Sequence, residues 1–137
     1  TVSERIKKQR PDGANDFRFV TYALTSVAHR REQARAKVRA ATAFYIDAMG
    51  QTLLTGAYGL NDQVAALIAE GGAAAVEEKM PDQWIDWLAI AGDPAECLSG
   101  IQNQCAAGST SVVLCVVPSE ELPAQLDIIS REILPKL

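Results

Sequence analysis

The chain has a single histidine, His29, and no second ligand or nucleophile stands near it in sequence. An imidazole alone at the head of an arginine-rich stretch reads as a structural or solvent-facing group. No serine, cysteine or aspartate sits in a nucleophile-elbow pattern, no two carboxylates are spaced with a base, and no metal-ligand cluster is present. Hydrolase and metalloenzyme chemistry therefore has no residues to rest on. Gly71-Gly72 and the glycines around Tyr58 lack the preceding strand and following helix of a nucleotide fingerprint, and read as loop glycines. Trp84 and Trp87 read as core, not as cofactor stackers. Asp93 is the one acid at a position where chemistry is common, and a capping role already accounts for it.

The elements that would position such residues centre on Ile90 to Pro118, IAGDPAECLSGIQNQCAAGSTSVVLCVVP. Asp93 stands at an N-cap, Pro94 at the first helical position where its missing N–H costs nothing, and Glu96 three residues past the cap, as a capping box requires. Leu98, Ile101 and Cys105 mark an apolar stripe, and Gly108 follows the last turn. Ser111 to Val117 is β-branched and almost wholly apolar, which suits a parallel strand buried on both faces. The unit is strand, helix, parallel strand, and its ligand side is the carboxyl end of the strands: Gly92, Asp93, Pro118 and Ser119.

Around this unit the pattern alternates. Thr1 to Arg10 reads as the end of a helix and Pro11 to Asp16 as a turn. Phe17 to Val27 is rich in aromatic and β-branched residues, and reads as a strand. Arg30 to Met49 carries Ala34, Val38, Ala41, Tyr45 and Met49 on one helical face, with arginines on the polar side. Asn61 or Asp62 is expected to cap a short helix to Glu70, Gly71-Gly72 ends it, and Ala73 to Lys79 adds further turns. Pro81 begins a helical segment bearing Trp84, Ile85, Trp87 and Leu88. After the central unit Ser119 can cap a last helix, with Leu122, Leu126, Ile129 and Ile133 inward and Pro135 at its end. Three strands, each followed by helix, predict an α/β fold. A three-stranded parallel sheet is short of neighbours, so a face bearing Val112, Leu114 and Val116 is expected to need a partner.

With 13 basic and 17 acidic residues the net charge is −4. Arg30, Arg31, Arg35, Lys37 and Arg39 cluster without aromatic interleaving or a groove-binding motif, so the sequence predicts a solvated helix face and no nucleic-acid partner. No apolar run is long enough to span a bilayer and no signal peptide is seen, so no membrane association is expected. Cys97, Cys105 and Cys115 read as small buried hydrophobes in a reducing compartment, which places the chain in the cytoplasm.

The run from Ile90 to Leu114 resembles the carboxyl-terminal signature of the luciferase-like monooxygenase superfamily, and most of all its deazaflavin-dependent methylenetetrahydromethanopterin reductase-like branch. There a Gly-Thr-Pro-Glu-Glu type turn opens a helix that ends in Ala-Gly before the last strand. Gly92, Asp93, Pro94, Glu96, Ala107 and Gly108 match, with Asp93 in place of the usual Thr. Upstream, Phe17 to Val27 with Glu32, Ala34 and Arg35 resembles the family's strand leading into a helix, with Ala28-His29 in place of the usual acidic cap; Pro81-Asp82 resembles the approach to the signature.

The resemblance implies that residues 1–137 form the carboxyl-terminal part of a TIM-barrel domain, about the last three βα units of a partial (βα)8 barrel. It implies coenzyme F420 or FMN in the parent protein, hydride transfer or oxygen activation, and a small-molecule substrate. No catalytic residue carries over. Thr25 and Ser26 after the first strand, Gly92 and Asp93 after the second, and Pro118 and Ser119 after the third are the cofactor-binding or substrate-facing candidates. Acids at two helix starts, Asp93 with Glu96 and Glu120 with Glu121, argue against a phosphate there. This chain alone is expected to be inactive, and to form a homo-oligomer or associate with a missing amino-terminal half. The competing reading is a non-catalytic α/β binding or assembly module that completes its sheet by oligomerising.

Overall fold

A computed structural model describes Lys8 and residues 18–137. The helix and turn expected before Phe17, and Phe17 itself, lie outside the described residues. The elements are β1 (Val20–Val27), α1 (Arg31–Met49), α2 (Leu53–Ala57), α3 (Asn61–Lys79), α4 (Asp82–Leu88), β2 (Ala89–Gly92), α5 (Pro94–Ala106), β3 (Ser111–Val116) and α6 (Leu122–Ile128). A 3-10 turn at Ser119–Glu121 precedes α6, and a π turn at Ile129–Ile133 and a 3-10 turn at Leu134–Lys136 follow it.

All strand pairs are parallel, and the order across the sheet is β2-β1-β3. Leu24 to Val27 align with Ala89 to Gly92 on one side, and Val20 to Thr25 with Ser111 to Val116 on the other. The first strand is therefore central, whereas successive units of a (βα)8 barrel set each strand beside the next in sequence. The two crossovers run in opposite directions across the sheet. Right-handed connections then place their helices on opposite faces.

Alternation along β1 separates two cores accordingly. Leu24, Ala89 and Ala91 face Val38, Ile46, Val64, Val76, Met80, Trp84 and Ile85 of the α1, α3 and α4 layer. Ala23, Val27 and Ile90 face Cys97, Ile101, Ile129 and Ile133. Val112, Leu114 and Val116 pack in this second core, which corrects the expectation that they would need an outside partner. The exposed residues are their neighbours on the opposite face of the sheet, Val20, Tyr22 and Val113, where among the described residues the helices of the first layer pack mainly on β1 and β2.

The helices follow their local chemistry with some shifts of phase. The buried line of α1 is Ala34, Val38, Thr42 and Ile46, where the sequence pointed to Ala41, Tyr45 and Met49. Thr42 can sit inside because its hydroxyl donates to Val38 O at 2.8 Å; Tyr45 and Met49 are exposed. Gly71-Gly72 interrupts α3 at the expected place, with Gly72 at φ 61°. On α5 the line is Cys97 and Ile101, while Cys105 is exposed. In the last helical segment Gln125, Ile129 and Ile133 point inward, and Leu122 and Leu126 are 40% and 48% exposed, against the predicted stripe.

The arginines of α1 are not a solvated face. Arg31 pairs with Glu96 at 3.0 Å, Arg35 with Asp86 at 2.7 Å and Arg39 with Asp82 at 2.7 Å. Arg35 also donates to Asp82 O, and Arg39 to Glu77 O and Met80 O at the end of α3. Spaced four apart, the three guanidiniums form one row on the helix, and each bridges α1 to a neighbouring element. Among the described residues no helix is long and apolar enough to cross a membrane.

Candidate functional site

The carboxyl ends of the three strands bring the six candidates to one end of the sheet. Thr25 is buried, its hydroxyl donating to Ala23 O at 3.0 Å and its carbonyl accepting from Val117 N at 2.8 Å. Ser26 is fully buried, and its Oγ has no hydrogen-bond partner. It lies on the side of β1 that faces the α1 layer, as Leu24 does. Gly92 has φ 155°, and its carbonyl accepts from Ala28 N at 3.2 Å. Pro118 follows a cis peptide bond, and Ser119 is exposed. Ser119 does not cap the last helix. It is the first residue of the 3-10 turn, and its hydroxyl meets Glu120 at 3.4 Å.

Asp93 is bound into the start of α5 as the sequence predicts. Glu96 N donates to Asp93 Oδ1 at 2.9 Å, and Asp93 N donates to Glu96 Oε2 at 3.0 Å. The other oxygen of Glu96 meets Arg31. Both acids are therefore committed to holding a helix and its neighbour. Lys37 pairs with Glu121 at 2.6 Å, and His29 Nε2 with Glu132 Oε1 at 2.7 Å, so the structural reading of His29 agrees with its contacts.

The residue the sequence did not single out is Gln125. Its Oε1 accepts from Val27 N at 2.8 Å and its Nε2 donates to Val117 O at 2.9 Å. One buried amide thus ties the ends of β1 and β3 together. The available signal was its place at i−4 and i−8 from Ile129 and Ile133, which puts it on the inner line of the last helical segment. Beneath this end lies the Cys97 thiol, its Sγ 3.7 Å from Ser26 O and 3.8 Å from Gly92 O. Burial, with Glu96 and Asp93 nearby, pushes its pKa up to about 12. The thiol stays protonated and unreactive at neutral pH.

The donor set decides what this end can hold. A flavin or deazaflavin asks for a ring platform, open polar groups and a phosphate grip. Here the acids are tied into caps and ion pairs, Thr25 is spent on main chain, and the unpartnered Ser26 hydroxyl points beneath α1. These residues by themselves do not fit such a cofactor, and no chemical step follows from them. Among the described residues no group of three or more His, Cys, Asp and Glu side chains could hold a metal ion.

Two cavities, one of which reaches the strand end at Asp93, accompany a third of about 490 Å³ along Arg31, Arg35 and Arg39. One, of about 390 Å³, runs along the outer side of β2, between Arg35, Ile85 and Asp86 on one wall and Glu96, Ser99 and Asn103 on the other. The other, of about 330 Å³, is lined by Leu24, Tyr45, Ile46, Met49, Leu53 and Leu88. The Thr42 and Thr55 hydroxyls at its rim are bonded to Val38 O and to Asn61 Oδ1, and the rest of its lining is mainly apolar, with Tyr45 and Thr52 as further polar side chains.

The fold and this end together define a parallel α/β unit whose strand ends are closed by its own side chains. The comparisons with known proteins go further. No protein-family model matches the chain. It is 29% identical over 129 residues to the 5,10-methylenetetrahydromethanopterin reductase of Archaeoglobus fulgidus, covering 88% of this chain and 39% of that protein. The structure of the coenzyme F420-dependent tetrahydromethanopterin reductase of Methanopyrus kandleri superposes on 97% of this chain and 40% of its own, with a TM-score of 0.78 and 20% identity. The chain is thus similar in sequence to a methylenetetrahydromethanopterin reductase and in fold to a coenzyme F420-dependent one, over about 40% of the length of each. It spans about two fifths of the relatives it matches.

Proposed function

We propose that residues 1–137 are the carboxyl-terminal part of a luciferase-like oxidoreductase that uses coenzyme F420, and that the chain alone supplies scaffold without catalysis. The observation that carries this is the alignment of 88% of the chain with 39% of a reductase. FMN is the lesser alternative, since the solved relative is named for coenzyme F420. The reading agrees with a ligand end that has a floor but no cofactor grip of its own, the grip then belonging to the remaining part of the parent. Placement in the last three units of a (βα)8 barrel rests on the Gly92 to Gly108 signature. The sheet sets a condition on it: both sides of β1 are already paired, so further strands can join only beside β2 or β3. In this reading the substrate is a small molecule and the protein works in the cytoplasm.

The test is a fluorescence titration of coenzyme F420 into the 137-residue chain, and into the same chain assembled with the polypeptide encoded upstream in its reading frame. Binding and hydride transfer by the assembly alone is the expected result. Turnover by the isolated chain, or absence of binding by both, would contradict it. A second reading is favoured by the central position of β1 and by helices on both faces of the sheet: a self-sufficient assembly module that completes its edges with a second copy.

A further inference from the structure

We draw no further inference here: the strongest candidate, the apolar cavity of about 330 Å³ at Tyr45, Met49, Leu53 and Leu54 together with the exposed sheet residues Tyr22 and Val113, carries nothing because nothing in the structure shows what covers it.

Discussion

Asp93, Gly92 and Cys97 lie within six residues and show how tightly the start of α5 is determined. Asp93→Ala removes one bond of a reciprocal pair and should lower stability by about 0.5–2 kcal/mol in urea or thermal melts. An unchanged midpoint, with loss of turnover in the intact parent, would instead assign Asp93 to the reaction. Gly92 is constrained more severely. Its φ of 155° is rare for side-chain-bearing residues, and a Cβ there would lie 2.9 Å from Glu96 Cβ. Gly92→Ala should therefore cost about 1–3 kcal/mol by the same melts, through strain and displacement of the cap.

Cys97 makes a prediction in pH. An acid whose pKa is raised on folding keeps its proton in the native state after the unfolded chain has lost it. Its contribution is intact below the ordinary thiol value of 9.0 and is lost as pH climbs from there toward about 12. Cys97→Ala should make the alkaline fall in thermal midpoint shallower, although it lowers the midpoint at neutral pH. In the native protein at neutral pH an alkylating reagent should modify Cys105, which is exposed, and leave Cys97 unmodified until the chain unfolds. Equal labelling of the two would contradict the burial of Cys97.

At the level of elements, Gln125 and the arginines of α1 mark where pattern reading stopped. The capping box, Gly108 after α5, and the break at Gly71-Gly72 were legible because each is a local rule in which neighbours in sequence satisfy one another. Gln125 answers to Val27, 98 residues away in sequence, and to Val117, 8 residues away, and no helical periodicity announces a polar group that belongs inside. Arg35 and Arg39 were read as solvated because charge on a helix usually is. Their side chains are only 13% and 21% exposed, since α3 and α4 fold back to meet them. Gln125→Leu should keep the volume but strand Val27 N and Val117 O, lowering stability by about 1–3 kcal/mol. Hydrogen exchange at Val27 N–H should rise with it, and unchanged exchange there would show the clamp to be dispensable.

The fold class was legible for a similar reason: parallel strands buried on both faces are written as apolar β-branched runs, and helices between them as amphipathic ones. Strand order was not, because Ser111 to Val117 carries the same pattern whether it lies beside β1 or beside β2. The candidate end was located by rule, at the carboxyl ends of the strands, but its contents were not. Ser26, Thr25 and Asp93 are all there, each committed to or buried beneath neighbouring structure, which is the state expected of a floor that another part of the protein completes. The central claim is that the chain is one part of a longer oxidoreductase. Native mass spectrometry of the protein purified from its own source tests it most directly. The account predicts a polypeptide a little over twice as long, or a second fragment bound to this one. A stable monomer of 14.7 kDa with no accompanying polypeptide would contradict it.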